Sequence, residues 1–380
     1  MRLGWLLVMV SCSGATSGDA IYAITTFSIK HGFNIYTHTI NDAMDPTRKP
    51  KLYEVGNVGD YPTPGGVQPQ LATTIPGSDA TFYMPWSGGN LRDHTLISHN
   101  GELFAFCTTG WGHGATGAGN FFVLKRKPTK WVFHARITVP HTLQGNTTAD
   151  TSVIWSPIPW KFPGDRVVVF LSSTCTTCEA EQLPIDKSKK WRRSSVMVYL
   201  NDDLNQAIAQ ADLSVDVSED TDPFALGQKP QSRYISYQPF ERLDGSLGMT
   251  LKDEVYSEVN RSTAVPNRVV IGDFASNIIT GRLHYFDSLT INGSMLLTEA
   301  HTVFPETETN GYRVFYSVFG CSPIRGPCVK GGNPQGRSTR SVWASADFSE
   351  WLNDTQLVAD GQTLGLVTKV DPKYLPALGG

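Results

Sequence analysis

More than a dozen short runs of β-branched and aromatic residues, each cut off by turn chemistry, constrain this chain more than any other feature. They include residues 33–39, 120–125, 166–172, 194–200, 268–273, 312–319 and 364–370. Only Asn201–Val215 has helical propensity, and its apolar spacing is imperfect. A run of strands with no interposed helices excludes a βαβ fold. One sandwich is too small to use so many strands, which leaves a barrel with insertions, two sandwiches, or a propeller of four-stranded blades. No fixed-period repeat stands out to choose among them.

Bulk composition agrees. Charged residues make up 18% of the chain, while 35 Gly, 23 Pro and 11% aromatics favour strands and turns over helices. A formal net charge of −3 gives no electrostatic basis for nucleic-acid binding. The basic run Lys187–Arg193, KSKKWRR, reads as a solvated loop rather than a polyanion site.

The first twenty residues, MRLGWLLVMVSCSGATSGDA, carry Arg2, an apolar run too short to span a bilayer, and small residues suited to cleavage after Ala15 or Ala20. Residues 1–20 are therefore expected to be a secretory signal segment, with a first strand as the alternative, and residues 21–380 the folded domain. No later segment is long and apolar enough for a membrane span. Sequons at Asn146, Asn260, Asn292 and Asn353 agree with secretion. Six cysteines are present, and without Cys12 five remain, so Cys107, Cys175, Cys178, Cys321 and Cys328 cannot all pair within one chain. Cys175-x-x-Cys178 lies in an all-β context, where a structural disulfide is expected rather than redox chemistry or zinc. Cys321 and Cys328 bracket the loop after the densest strand, Tyr312–Phe319, and are the pair expected first.

Motifs for catalysis are sparse. His113 in GWGHG sits in a Gly-rich loop without a phosphate-binding pattern, and neither GxSxG nor HExxH occurs. No cofactor or metal is expected. Ser341–Trp351, SVWASADFSEW, resembles a degenerate sialidase Asp-box: Asp347 can cap a hairpin turn and Trp351 can anchor it.

Several segments together resemble the head domain of paramyxovirus attachment glycoproteins, the haemagglutinin-neuraminidase family. They are Phe33–Ile40 (FNIYTHTI), Asn90–Cys107 (NLRDHTLISHNGELFAFC), Ser173–Gln182, Asn267–Ile278 (NRVVIGDFASNI) and Cys321–Gly331. Their order and spacing agree over about residues 21–370. The resemblance implies a six-bladed, sialidase-like β-propeller whose central cavity faces a receptor. It also implies a host cell-surface glycoprotein or sialoglycan as partner, a viral fusion protein and a second copy of the chain as further partners, and a secreted, virion or cell-surface location. The family's catalytic arginines do not carry over. Their places fall near Ala23, Thr290 and Trp343, with Arg340 just short of the last. The acidic position falls at Ala275 beside Asp273, a lysine becomes Asp93, and Tyr374 is the only late tyrosine for the nucleophile. The expectation is an attachment-type head that binds without sialidase activity, through Arg92, Asp93, Asp273 and Arg340. An active or divergent exo-sialidase and a non-viral secreted lectin or adhesion propeller are the alternatives.

Overall fold

The structure, a computed structural model, describes residues 21–28, 32–39, 51–56, 73–74, 81–82, 91–109, 120–127, 131–139, 154–174, 181–182, 190–191, 193–217, 234–253, 268–285, 290–291, 294–322, 338–358 and 363–374. The described chain is all-β apart from two short 3-10 turns. Five sheets, antiparallel apart from one parallel pairing in the fourth, carry the fold among the described residues, beside two isolated two-stranded ladders. In chain order their innermost strands are Leu91–His99 (second sheet), Ile154–Lys161 (third), Tyr234–Glu241 (fourth) and Ser294–Glu306 (fifth), with Thr363–Val370 opening the first. Each inner strand packs against the next, and the fifth returns to the first, so the sheets close a ring as a propeller. The ring is locked by Thr363–Val370 pairing with Ile21–Ser28, which places both ends of the described chain in one sheet.

Every sheet is sandwiched between two neighbours, so its middle strands are apolar on both faces rather than alternating. Val167 to Ser173 and Tyr312 to Val318 are buried without interruption. Between the second and third sheets Phe106, Phe121, Val169, Leu171 and Val198 form one cluster. Each such fully buried side chain contributes about 1.5–3 kcal/mol relative to exposure. Equivalent clusters fill the other four seams.

The inner strands share a device. In sheets two to five the pairing register skips two residues, between Arg92 and Thr95, Trp155 and Ile158, Ile235 and Gln238, and Glu299 and Thr302. The first skipped residue is left-handed each time: Asp93 (φ 58°), Ser156 (43°), Ser236 (57°) and Ala300 (56°). Small residues and Asp tolerate this backbone best. A tight turn with positive φ then follows, at Asn100-Gly101, Gly164-Asp165, Gly245 and Asn310. These strands are repeats of one unit, at unequal intervals because the connections between them differ in length.

Hydroxyls latch neighbouring sheets at this level. Thr25 Oγ1 donates to the His94 carbonyl, Thr108 Oγ1 to that of Ile154 (2.8 Å) and Thr250 Oγ1 to that of His301 (2.6 Å).

Two expectations need correction. Among the described residues there are five large sheets, not the six blades that the viral resemblance implies. The helical propensity of Asn201–Val215 is overridden: Asn201 Oδ1 accepts the N–H groups of Asn205 and Gln206 (both 3.0 Å), making a tight turn with Leu204 buried at φ 54°. The chain then continues as Ala207–Asp212, the outer strand of the third sheet, and Ser214–Val217, which joins the fourth sheet in parallel. The turn at Ser345–Trp351 forms as its sequence suggests. Asp347 Oδ1 accepts from Ser345 Oγ (2.6 Å), Ser349 N (3.1 Å) and Ser349 Oγ (2.7 Å), and Trp351 packs against the cluster between sheets four and five. These hydroxyls hold the Asp347 carboxyl down to about 2.

Candidate functional site: an axial cavity

The inner strand of each sheet turns one edge to the ring axis, free except where Thr290–Ile291 pairs with Ser294 and Met295 in the fifth sheet, and these edges enclose a cavity of about 330 Å³. Edge position explains the prolines. Pro159 and Pro239 sit at matching places in their strands, where the missing N–H belongs to the unpaired edge.

The cavity is graded along the axis. At its buried end lie the first paired residues after each register skip, Thr95, Ile158, Gln238 and Thr302, with Leu366 in the same register in the first sheet. Ile158 and Leu366 pack together with Ala300 and close this end. Trp160 and Phe304, both half-buried, line the wall further along. Lys161, Glu241 and Lys369 are exposed at the far end, where the tight turns lie, so the cavity opens there. Lys161 Nζ is 2.6 Å from Asp165 Oδ1 across the adjoining turn. A cavity with polar groups at its base and aromatic walls can hold a small ligand that carries both hydroxyls and an apolar face.

A second polar region lies beyond the closed end, in the seam between sheets four and five. Lys252 Nζ is 3.0 Å from Glu299 Oε2, both side chains being largely buried. His301 accepts or donates one hydrogen bond with Thr298 Oγ1 (2.9 Å) and stacks on Tyr316 at 6.4 Å. Tyr316 donates to Asp354 Oδ1 at 2.5 Å, and Arg340 grips the same carboxylate through Nε and Nη2. Burial and the neighbouring Asp354 carboxylate push the Tyr316 hydroxyl well up. Burial drives His301 down to about 3, helped by Lys252, and burial alone does the same to His94. Both imidazoles are therefore neutral at physiological pH.

The four residues picked from the sequence are not brought together. Arg92 and Asp93 begin the inner strand of the second sheet, and Asp93 is fully buried there. Asp273 lies in the third strand of the fourth sheet, ion-paired with Arg242 at 2.6 Å. Arg340 is buried in the fifth sheet, its guanidinium occupied by Asp354. Cys107, expected among the disulfide cysteines, is a buried free thiol in the second strand of its sheet, and no disulfide occurs among the described residues. Burial and the nearby Asp93 carboxylate raise that thiol well above its ordinary range. Cys175, Cys178 and Cys328 lie outside the described residues, as do residues 1–20, Asn146, Asn260 and Asn292. Cys321 and Asn353 fall in the strands Gly311–Ser322 and Trp351–Val358. Among the described residues no helix is long and apolar enough to cross a membrane, and no group of His, Cys, Asp and Glu could hold a metal.

Gln238, Trp160, Phe304 and Thr302 were missed. Their signal is the recurrence of SPIPWKFPGD, SYQPFERLDG and AHTVFPETETNG, which aligns the left-handed residue and the turn but not a fixed period.

No protein-family model matches the sequence, and no curated protein does. Solved structures do. An α-L-arabinanase from Cellvibrio cellulosa is similar at 12% identity and TM-score 0.46, over 89% of this chain and 92% of that one. An exo-1,5-α-L-arabinanase from a bovine ruminal metagenomic library is similar at 7% identity and TM-score 0.44, over 90% and 94%. An endo-arabinase from Bacteroides thetaiotaomicron follows at 10% and 0.44, over 74% and 93%. At these identities and scores the likeness is one of general arrangement and assigns no activity. The chain is an all-β propeller, and the expected viral attachment head is corrected: among the described residues five large sheets stand where six blades were implied, and the residues proposed for the receptor lie on separate sheets with Asp273 and Arg340 each held in an ion pair.

Proposed function

We propose that this chain is a carbohydrate-binding propeller that takes the end of a glycan into its axial cavity from the turn side. The observation that carries this reading is the cavity's chemical gradient, from hydroxyl and amide groups at the base, past Trp160 and Phe304, to the exposed Lys161, Glu241 and Lys369. Sugars present apolar C–H faces to aromatic rings and hydroxyls to such polar groups, and a volume of about 330 Å³ has room for one or two sugar rings.

Binding without hydrolysis is the form the cavity supports. Glycosidic cleavage ordinarily needs two carboxyl groups flanking the bond, and among the described residues lining the cavity Glu241 is the one carboxylate. The leader-like residues 1–20 support an extracellular setting. A glycan array probed with the labelled chain tests the reading. Saturable binding to a defined glycan class, competed by the free sugar and weakened by Trp160→Ala, is the expected result. Uniform background across the array contradicts it, and release of reducing ends on incubation contradicts the non-hydrolytic form.

A further inference from the structure

The base of the cavity carries a feature that the general glycan reading does not use. Thr95, Gln238 and Thr302 occupy one shared register position on three inner strands, the first paired residue after the left-handed skip. All three line the cavity, and they are 5%, 3% and 6% exposed. Thr95 Oγ1, Gln238 Nε2 and Thr302 Oγ1 are each buried without a hydrogen-bond partner among the described residues. Buried polar atoms are otherwise nearly always paired, so three of them at one level of one cavity mark a place where a bound group completes the bonding.

The chemistry of that level is neutral. Two hydroxyls and one amide lie there beside Ile158, and no charged residue lines it. The buried cations of sheets four and five are already occupied: Lys252 by Glu299, Arg313 by Glu306 and Arg340 by Asp354. Placing a carboxylate or sulfate at the base would bury a charge without a counter-charge, which is far more costly than burying a hydroxyl that gains two or three bonds. We infer that the base of the cavity selects a neutral, hydroxylated sugar end, with Thr95, Gln238 and Thr302 as its specificity-determining residues. This rests on the glycan reading above. It also differs from what the exposed lysines at the opening suggest, since they alone would favour an acidic ligand.

The test uses the full chain and calorimetric titration with oligosaccharides ending in galactose, xylose or arabinose, against oligosaccharides ending in sialic acid or a uronate. Thr95→Val and Thr302→Val remove one hydroxyl each at constant shape, and Thr302→Ser restores it. Because the deleted hydroxyls are unpaired in the free chain, the valine variants should keep or raise the melting temperature. The inference predicts neutral ends bound about tenfold or more tightly than acidic ones. It also predicts a loss of about tenfold in either valine variant, with near-normal binding in Thr302→Ser. Acidic ends bound as well as neutral ones, or valine variants binding like the parent, overturns the inference and leaves the glycan reading standing. No binding to either class overturns both.

Discussion

Two seams of the ring, alike in topology, are built from different materials. Between sheets two and three, apart from the Thr108 latch, the contact is hydrocarbon and ring, with Phe106 and Phe121 of the second sheet at 5.9 Å and valines of the third packed in the same cluster. Between sheets four and five an apolar cluster around Tyr312, Phe240 and Phe348 shares the seam with Lys252–Glu299 and the Tyr316–Asp354–Arg340 group. Close packing holds the first seam, and its stability depends on filled volume. The second depends on every charge keeping its partner, because a buried ion pair roughly balances its own desolvation while a half pair does not. A propeller needs filled volume at every seam; buried charge groups are what this chain has added around its fifth sheet.

The largest effects should come from breaking each seam in its own terms. Phe106→Ala should cost about 3–5 kcal/mol in denaturant unfolding through the void it leaves. Lys252→Met should cost about 3–5 kcal/mol by leaving Glu299 buried and unpaired. What divides the seams is rescue: adding Glu299→Leu to Lys252→Met should recover most of the loss, since removing both charges is neutral or stabilising. Failure of that rescue would mean that the pair is held for reasons beyond its own electrostatics.

Acid comes next. His94 and His301 have folded-state values of about 3 against an ordinary 6.5, so between those limits the unfolded chain binds more protons than the folded one. Stability is then complete above about pH 6.5 and falls as pH drops toward 3, by about 1.4 kcal/mol per pH unit for each histidine. Urea titrations at pH 7.5, 6 and 5 should show this slope. His301→Gln should flatten it by half, and an unchanged slope in that variant would place the protonation elsewhere. The smallest effect is Thr250→Val, which removes the latch onto the His301 carbonyl and should cost about 1 kcal/mol.

How far the fold could be read in advance follows from burial. The second and third strands of each sheet, such as Val167–Thr174 and Gly311–Ser322, are covered on both faces, so their sequences are continuous runs of Val, Ile and aromatics. The inner strands have a free edge and a bulge. They therefore accept Pro157, Pro159, Pro239 and Pro305, and polar residues such as Thr95 and Gln238, which in a linear reading break a strand rather than mark one. Ser294–Glu306, the longest strand, went unread for that reason. The candidate site inherits the difficulty, because the axis is walled by those same strands. Asp93 was singled out by the sequence, yet it lies buried beside Cys107 rather than on a binding face. The six-blade expectation has a different origin. It came from a resemblance carried by short strand segments such as Phe33–Ile40 and Asn267–Ile278, and any propeller supplies such segments whatever the number of its sheets.

Trp160 offers the most direct test that the axial cavity is the binding site. Trp160 is a lining residue of the cavity, packs against the cluster between sheets three and four, and is only half-buried. The tryptophan emission of the chain should therefore change saturably as a neutral oligosaccharide is titrated in, and the change should disappear in Trp160→Phe while weaker binding remains detectable by calorimetry. An emission change of the same size in Trp160→Phe, or saturable binding by calorimetry with no emission change in the parent chain, would contradict a glycan seated on the axis.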